Sequence, residues 1–270
     1  MFKRIYPFIK VTFLEGIRNR VAAGVIIFSL ISMISNLIIV NLAAQDVGKV
    51  AIDFALSSFS LTGLLLILFA CGSSLYRDID KKTICIVLSK AISRKEYILG
   101  KFFGYFLTLF FVSLISFLIG ILTLYLIKIT HLKYFTAPFS GIFLGYLFSF
   151  IAFVLLLSVL VFFTSLTTSS FTAMLLTVVV YFIGNSIGDL REFAESEIAT
   201  QAGFSPVFKI ILRVVHFVVP DLGKFDLKIF SANGLPVSFD YIFFAISYAI
   251  IYCTILILLS MRAFERREFV

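Results

Sequence analysis

Charged residues are scarce in this sequence. Only 14% of its 270 residues are Asp, Glu, Lys or Arg, while 61% are hydrophobic. A soluble domain carries about 25% charged residues and roughly half apolar ones. An apolar surface of this extent cannot be hidden in one water-soluble core, so we expect lipid to cover it. The scarcity of charge therefore excludes a soluble globular protein.

Ionisable residues are absent from every long apolar stretch, which argues against chemistry at membrane depth. An enzyme site needs paired acids, a nucleophile with a base or a histidine cluster, and His131 and His216 both fall in predicted external loops. An ion-coupled carrier normally keeps ionisable residues near mid-membrane. The chain also has no GxxxxGK[ST] phosphate loop. We predict a protein that is not an enzyme and that takes any nucleotide energy from a partner chain.

Cysteine is scarce as well. The positions of Cys71, Cys85 and Cys253 give neither a disulfide framework nor the spacing of a metal site. We therefore predict no metal and no cofactor in this chain.

Long apolar runs are what the sequence has in abundance. A helical span takes about 20 residues, and the uncharged stretch 134–188 is long enough for two. Its cluster of Ser and Thr at 164–170 predicts the turn between them, because hydroxyls compete for backbone hydrogen bonds. The predicted fold is an all-α polytopic membrane protein, a single domain over 1–270, with six transmembrane helices at 21–45, 54–76, 102–127, 139–163, 171–188 and 241–261.

Basic residues are distributed unevenly between the predicted loops. With the N-terminus inside, the cytoplasmic segments hold 15 Lys and Arg residues and the external ones hold 8. Cytoplasmic loops of membrane proteins carry the excess of Lys and Arg. The bias predicts both termini on the cytoplasmic side of the membrane, in contact with anionic lipid. It gives little reason to expect nucleic acid as a partner.

Two segments outside the spans have helical patterns. Residues 1–20 predict an amphipathic helix at the inner interface, with an apolar side that consists of Ile5, Tyr6, Ile9, Phe13 and Ile17. Residues 189–240 are the longest external segment. Within it, the stretch 205–220 begins with Ser-Pro and ends at a proline, which predicts a short helix that does not span the membrane.

Small residues recur at four-residue spacing inside the spans, which allows helix backbones to approach closely. These candidates for helix packing are Gly141, Gly145, Ser149, Gly184 and Gly188. The strongest polar groups at membrane depth are amides, which either join helices or line a substrate path. They are Asn36, Asn41 and Asn185. The sequence alone does not choose between these two roles.

One stretch concentrates the charge that the rest of the chain avoids. Residues 77–101, RDIDKKTICIVLSKAISRKEYILGK, contain seven Lys or Arg and three acids. Ile84, Val87 and Leu88 form an apolar stripe at helical spacing. A lipid-facing loop on the inner side would need the basic residues but not the acids. The pattern favours an amphipathic helix that docks on a soluble protein.

The same stretch resembles the loop between the second and third spans of permeases of the ATP-binding-cassette (ABC) type-2 exporter family. That loop runs R-E-x-E-x-G-T, an apolar turn, L-S-K-P-x-S-R-x-E, an apolar pair and G-K. This sequence matches it at Arg77, Asp78, Asp80, Thr83, Leu88, Ser89, Lys90, Ser93, Arg94, Glu96, Gly100 and Lys101. It differs in having Asp at the two Glu positions, Lys82 for Gly and Ala91 for Pro. Residues 13–20 and 264–269 are similar to the family's entry helix and basic C-terminal end.

The resemblance implies a fold like that of type V ABC exporters, with a cytoplasmic coupling helix held by a separate ABC ATPase subunit. ATP and Mg²⁺ would bind to that partner. Two copies of the permease, or two homologous permeases, would form the path, with a possible external accessory protein and with 189–240 as an outer gate. The coupling residues it implies are Asp78, Asp80, Thr83, Ile84, Val87, Leu88, Arg94, Glu96 and Lys101.

Two other classes of function stay open. A membrane scaffold would recruit a cytoplasmic protein through 77–101 without transporting anything, and its partner's ATPase rate would ignore the membrane subunit. An ion-coupled secondary carrier would transport without ATP and would stop when the ion gradient collapses.

Overall fold

The computed structural model describes seven parts of the chain: residues 2–43, 46–74, 93–130, 139–167, 169–195, 214–216 and 218–266. Over these ranges the protein is mostly helical and contains no strand. The predicted coupling helix falls in 75–92, outside the described residues. Most of the predicted external helix at 205–220 falls outside them too, although its described residues 214–216 are helical.

The helices are named here in chain order. The first three are α1 (Phe2–Arg18), α2 (Arg20–Leu42) and α3 (Val47–Leu65), and α3 continues as a π-helix over Leu66–Gly72. The next three are α4 (Arg94–Thr130), α5 (Phe139–Leu166) and α6 (Ser170–Glu195). A 3₁₀ turn at Gly223–Phe225 and the short α7 (Lys228–Asn233) lead into α8 (Phe239–Glu265).

Six helices are long and apolar enough to cross a membrane, which confirms the prediction of an all-helical, multi-pass membrane protein over the described ranges. They are α2, α3 with its π-helix, α4, α5, α6 and α8. The second starts at Val47, two turns before the predicted 54. The predicted span began after Asp53 because this residue is charged. Lys49 and Asp53 are instead exposed on the surface of α3, and the helix continues through both.

The turn between the fourth and fifth spans is shorter than the Ser/Thr cluster predicted. Thr164 and Ser165 are still helical, because their hydroxyls donate to the carbonyls of Leu160 (2.7 Å) and Phe162 (2.6 Å) in their own helix. Hydroxyls that bond back to the preceding turn can stay in a helix. α5 therefore ends at Leu166, three residues later than predicted.

Two helices form the centre of the bundle. α4 packs against α1, α2, α3, α5 and α8, and α5 packs against α3, α4, α6, α7 and α8. In the spans of α3 and α5, 61% and 56% of the residues are buried, against 22% in α6 and α8. The outer helices turn apolar side chains away from the protein, as expected for surfaces that lie in lipid.

The end of the second span is a π-helix that the sequence did not reveal. Six of its seven residues are buried, and a Cβ on Gly72 would lie 2.9 Å from Met174 Cε on α6. Apolar composition is the same for α- and π-helices, so the pattern carries no signal. The widened turn lies directly before the segment that leads into residues 75–92, and such bulges often occur next to functional sites.

Gly63 and Gly24 provide a matched test of this packing. A Cβ on Gly63 would collide with the ring of Phe153 on α5, whereas a Cβ on Gly24 would meet nothing within 4 Å. We expect Gly63→Ala to lower the free energy of unfolding by about 1–3 kcal/mol, because a packed ring must move. Gly24→Ala should leave it unchanged or raise it by about 0.5–1 kcal/mol, since Ala favours the helix. Thermal unfolding in detergent measures both, and equal effects would contradict the packing.

Candidate functional site

Polar side chains tie four helices together at one end of the bundle. On one side of this group, Ser74 Oγ donates to Glu15 Oε1 at 2.9 Å, and Lys101 Nζ lies 3.6 Å from Glu15 Oε2. Glu15 belongs to α1, Ser74 follows the π-helix, and Lys101 is in the second turn of α4. We call this group, with Arg94, Lys95 and Glu265, the polar junction.

Lys101 is a buried cation, and its surroundings compensate for the loss of water. Besides the carboxylate of Glu15, the rings of Phe8 and Tyr105 lie 5.5 and 5.7 Å from its ammonium nitrogen. An unpaired ammonium at such a site would be strongly destabilising, whereas a carboxylate and aromatic faces stabilise the charge. Lys101 thus holds α1 against α4.

Arg94 and Lys95 complete the junction by joining the start of α4 to the end of α8. Arg94 Nη1 donates to the carbonyls of Phe264 (3.3 Å) and Glu265 (2.8 Å), and Lys95 pairs with the Glu265 carboxylate at 3.3 Å. The last carbonyls of a helix lack partners within it and attract cations. Ser74 and Arg94, the described residues on either side of 75–92 that make these bonds, are therefore both attached to other helices.

Glu96 forms a capping box with Ser93 at the start of α4. The backbone N–H and hydroxyl of Ser93 approach Glu96 Oε2 at 3.0 and 3.1 Å, and the Glu96 N–H donates to Ser93 Oγ at 3.2 Å. This reciprocal arrangement satisfies N–H groups at a helix start. Glu96 therefore has a local structural use that the sequence interpretation did not consider.

Small residues of α4 allow α1 to pack closely against it. A Cβ on Gly100 would lie 2.7 Å from Phe8 Cδ1, and one on Gly104 would lie 2.5 Å from Thr12 Cβ. Gly100 and Gly104 have the same four-residue spacing as the predicted packing residues of α5 and α6, but they were not among those predicted. The face of α1 that meets the protein thus carries Phe8 and Thr12, while Tyr6 and Ile17, assigned to its apolar side, are exposed.

Of the implied coupling residues, the structure places only those that start α4. Arg94, Glu96 and Lys101 all bond within this chain. The remaining ones lie outside the described residues, so their coupling role stays a prediction. They are Asp78, Asp80, Thr83, Ile84, Val87 and Leu88.

The small residues of α5 pack against the segment that precedes the last span. Ser231 Oγ of α7 donates to the Gly141 carbonyl at 2.9 Å. A Cβ on Gly145 would lie 2.7 Å from the same Ser231 Oγ. Ser149 donates to the Gly145 carbonyl at 2.9 Å. The close approach is at Gly145, which meets both the six-residue α7 and Leu56 of α3.

The glycines of α6 meet backbone that is not helical. The Leu222 N–H donates to the Gly184 carbonyl at 2.9 Å, and a Cβ on Gly184 would lie 2.6 Å from the Pro220 carbonyl oxygen. Gly188 faces the buried carboxylate of Asp221. Irregular backbone is tolerated within a membrane protein where other protein groups supply its hydrogen-bond partners. Because these glycines have no side chain, the segment 220–222 can come close enough to α6 to form such a bond.

The three asparagines make different hydrogen bonds. Asn36 Nδ2 donates across to the Ala51 carbonyl of α3 at 3.1 Å. Its Oδ1 has no partner among the described residues, and Asn36 lines a cavity of about 30 Å³ together with Tyr146, whose hydroxyl is also unpartnered there. Asn41 and Asn185 donate to carbonyls of their own helices. Asn36 thus both joins helices and lines a polar cavity with room for about two waters.

The contacts of the junction also place α1, both ends of 75–92 and the end of α8 at the same end of the bundle. This agrees with an even number of spans. Which side of the membrane that end faces is a prediction from the basic residues.

The chain matches no model of a known protein family, and it matches no curated protein.

The pairs Glu15–Lys101 and Asp46–Lys49 provide a matched test of the junction. Both measure 3.6 Å, but Lys101 is 4% exposed and Lys49 is 50% exposed. We expect Glu15→Gln to lower the free energy of unfolding by about 1–3 kcal/mol, because it leaves a buried ammonium without its carboxylate. Asp46→Asn should cost at most about 0.5 kcal/mol, since water screens that pair and Asn tolerates the left-handed backbone there.

Denaturation in detergent micelles measures both variants. Adding Lys101→Met to Glu15→Gln should recover part of the loss, because it also removes the buried charge that Glu15 balanced. Equal losses from Glu15→Gln and Asp46→Asn would show that Lys101 does not depend on Glu15.

Proposed function

We propose that this chain is the permease subunit of an ATP-driven ABC exporter in a bacterial or archaeal cell membrane. Residues 77–101 would dock on a separate ATPase subunit, which would bind ATP and Mg²⁺. Two permease copies, or two homologous permeases, would form the path between them.

The observation that supports this proposal most is the mixed charge of 77–101 together with the anchoring of both its ends. Asp78 and Asp80 have no use in a loop that only faces lipid. Ser74 precedes the segment, Arg94 lies within it and Lys101 ends it, and each of the three bonds to another helix. A force applied to the segment would therefore reach α1 through Glu15 and α8 through Glu265.

The arrangement of the spans is consistent with a path between two copies. The polar cavity beside Asn36 has a volume of about 30 Å³, far below the roughly 300–1000 Å³ of small-molecule sites. A stripe of α2, with Ile27, Ile31, Ile34 and Ile38, is more than half exposed. A cargo path would need a larger space, and a second chain packed on such a face would supply it.

Thiol labelling tests the orientation on which this proposal depends. In a Cys71→Ser, Cys253→Ser background, Cys85 is the remaining thiol. We expect a membrane-impermeant maleimide to label it in inside-out vesicles and not in right-side-out cells, because the basic excess puts 77–101 inside. Labelling from outside only would remove the ATPase as a possible partner of this segment.

The ATPase itself is tested by purifying this chain with an affinity tag and identifying any P-loop protein that co-purifies with it. We expect Asp78→Lys with Asp80→Lys to lose most of the bound ATPase, because two attractive charges become repulsive. Asp53→Lys is the matched control, since it reverses an exposed acid of α3 outside 77–101, and it should retain the ATPase.

Two results would contradict the proposal. One is undiminished ATPase binding by the double lysine variant. The other is an ATPase rate that is the same with and without the membrane subunit, which would favour the scaffold.

A further inference from the structure

A cleft opens between the last turns of α5 and α8, at the same end of the bundle as the polar junction. Its volume is about 530 Å³, within the roughly 300–1000 Å³ of ligand sites. Arg262 and Arg266 supply its charge, and its apolar wall includes Phe162, Leu166 and Leu259. The cleft thus combines two cationic side chains with an apolar wall.

Neither arginine has an ionic partner in the part of the chain that the structure describes. Cations in the last turn of a helix usually serve its terminal carbonyls. Here Arg94 already takes the carbonyls of Phe264 and Glu265, and Lys95 takes the Glu265 carboxylate. The polar junction therefore leaves Arg262 and Arg266 as surplus charge facing the cleft.

The arginines continue an apolar stripe along α8. Ile255, Leu259, Arg262 and Arg266 follow at spacings of four, three and four residues, which places them on one face of the helix. Ile255 and Leu259 are 50% and 43% exposed. The stripe is apolar in the span and basic at its end, and this sequence of surfaces matches a phospholipid with its head at the end of the bundle.

We propose that this cleft is a binding site for an anionic phospholipid. A guanidinium group can donate two parallel hydrogen bonds to the oxygens of one phosphate. The two arginines are four residues apart, or about 6 Å along the helix axis, so both can reach the same phosphate. The acyl chain lies along Ile255 and Leu259. This site does not depend on the proposed transport function, because it uses neither 77–101 nor an ATPase.

The test uses the full chain in detergent micelles and native mass spectrometry with phosphatidylglycerol, phosphatidylcholine or soluble glycerol phosphate. We expect phosphatidylglycerol to bind more tightly than phosphatidylcholine or glycerol phosphate. Arg262→Gln with Arg266→Gln should weaken it roughly 30-fold, since each basic residue near anionic lipid contributes about 1 kcal/mol. The matched control is Lys10→Gln with Arg18→Gln, which removes two exposed charges of α1. It should change binding by less than about 3-fold.

A second variant separates lipid from free phosphate. Leu259→Asn keeps both arginines but interrupts the apolar stripe, so it should weaken phosphatidylglycerol without changing the binding of glycerol phosphate. Equal weakening by the two charge-neutralising pairs would mean that only net charge matters and would overturn the site. Glycerol phosphate that binds as tightly as the lipid would overturn the lipid as its occupant.

Discussion

The buried charge of Lys101 is the constraint on which this end of the molecule depends. An ammonium without water needs a carboxylate, and Glu15 supplies it from α1, a helix that is not among the six candidate spans. Because Glu15 also accepts from Ser74, the same carboxylate fixes α1, the end of the second span and the start of the third. Arg94 and Lys95 extend this network to the last span.

Close backbone packing is the second principle of the bundle, since burial of apolar surface distinguishes poorly between protein and lipid inside a membrane. Small residues bring α1 against α4 at Gly100 and Gly104, and bring α5 and α6 against the segment before the last span. That segment has irregular backbone, whose polar groups need partners where water is scarce. The carbonyls of Gly141 and Gly184 provide two of them.

Charge at the end of the bundle divides into cations that hold the protein together and cations left for something else. The first kind, at the start of α4, has carboxylate and carbonyl partners within the chain. Arg262 and Arg266 represent the second kind, and their position beside an apolar wall favours a lipid phosphate. A transport function and a lipid site would then share one end of the protein through different residues.

The sequence by itself determined the membrane class and the number of candidate spans, because hydropathy is a local property summed over about 20 residues. It also singled out Gly145 and Gly184 as small residues at helical spacing. What lies beside them was decided by the fold: α7 and Leu56 of α3 lie beside Gly145, and a non-helical turn lies beside Gly184. The partners of Lys101 and Glu96 were likewise undetermined, since a charge pattern does not distinguish a group satisfied within its own chain from one that awaits a partner.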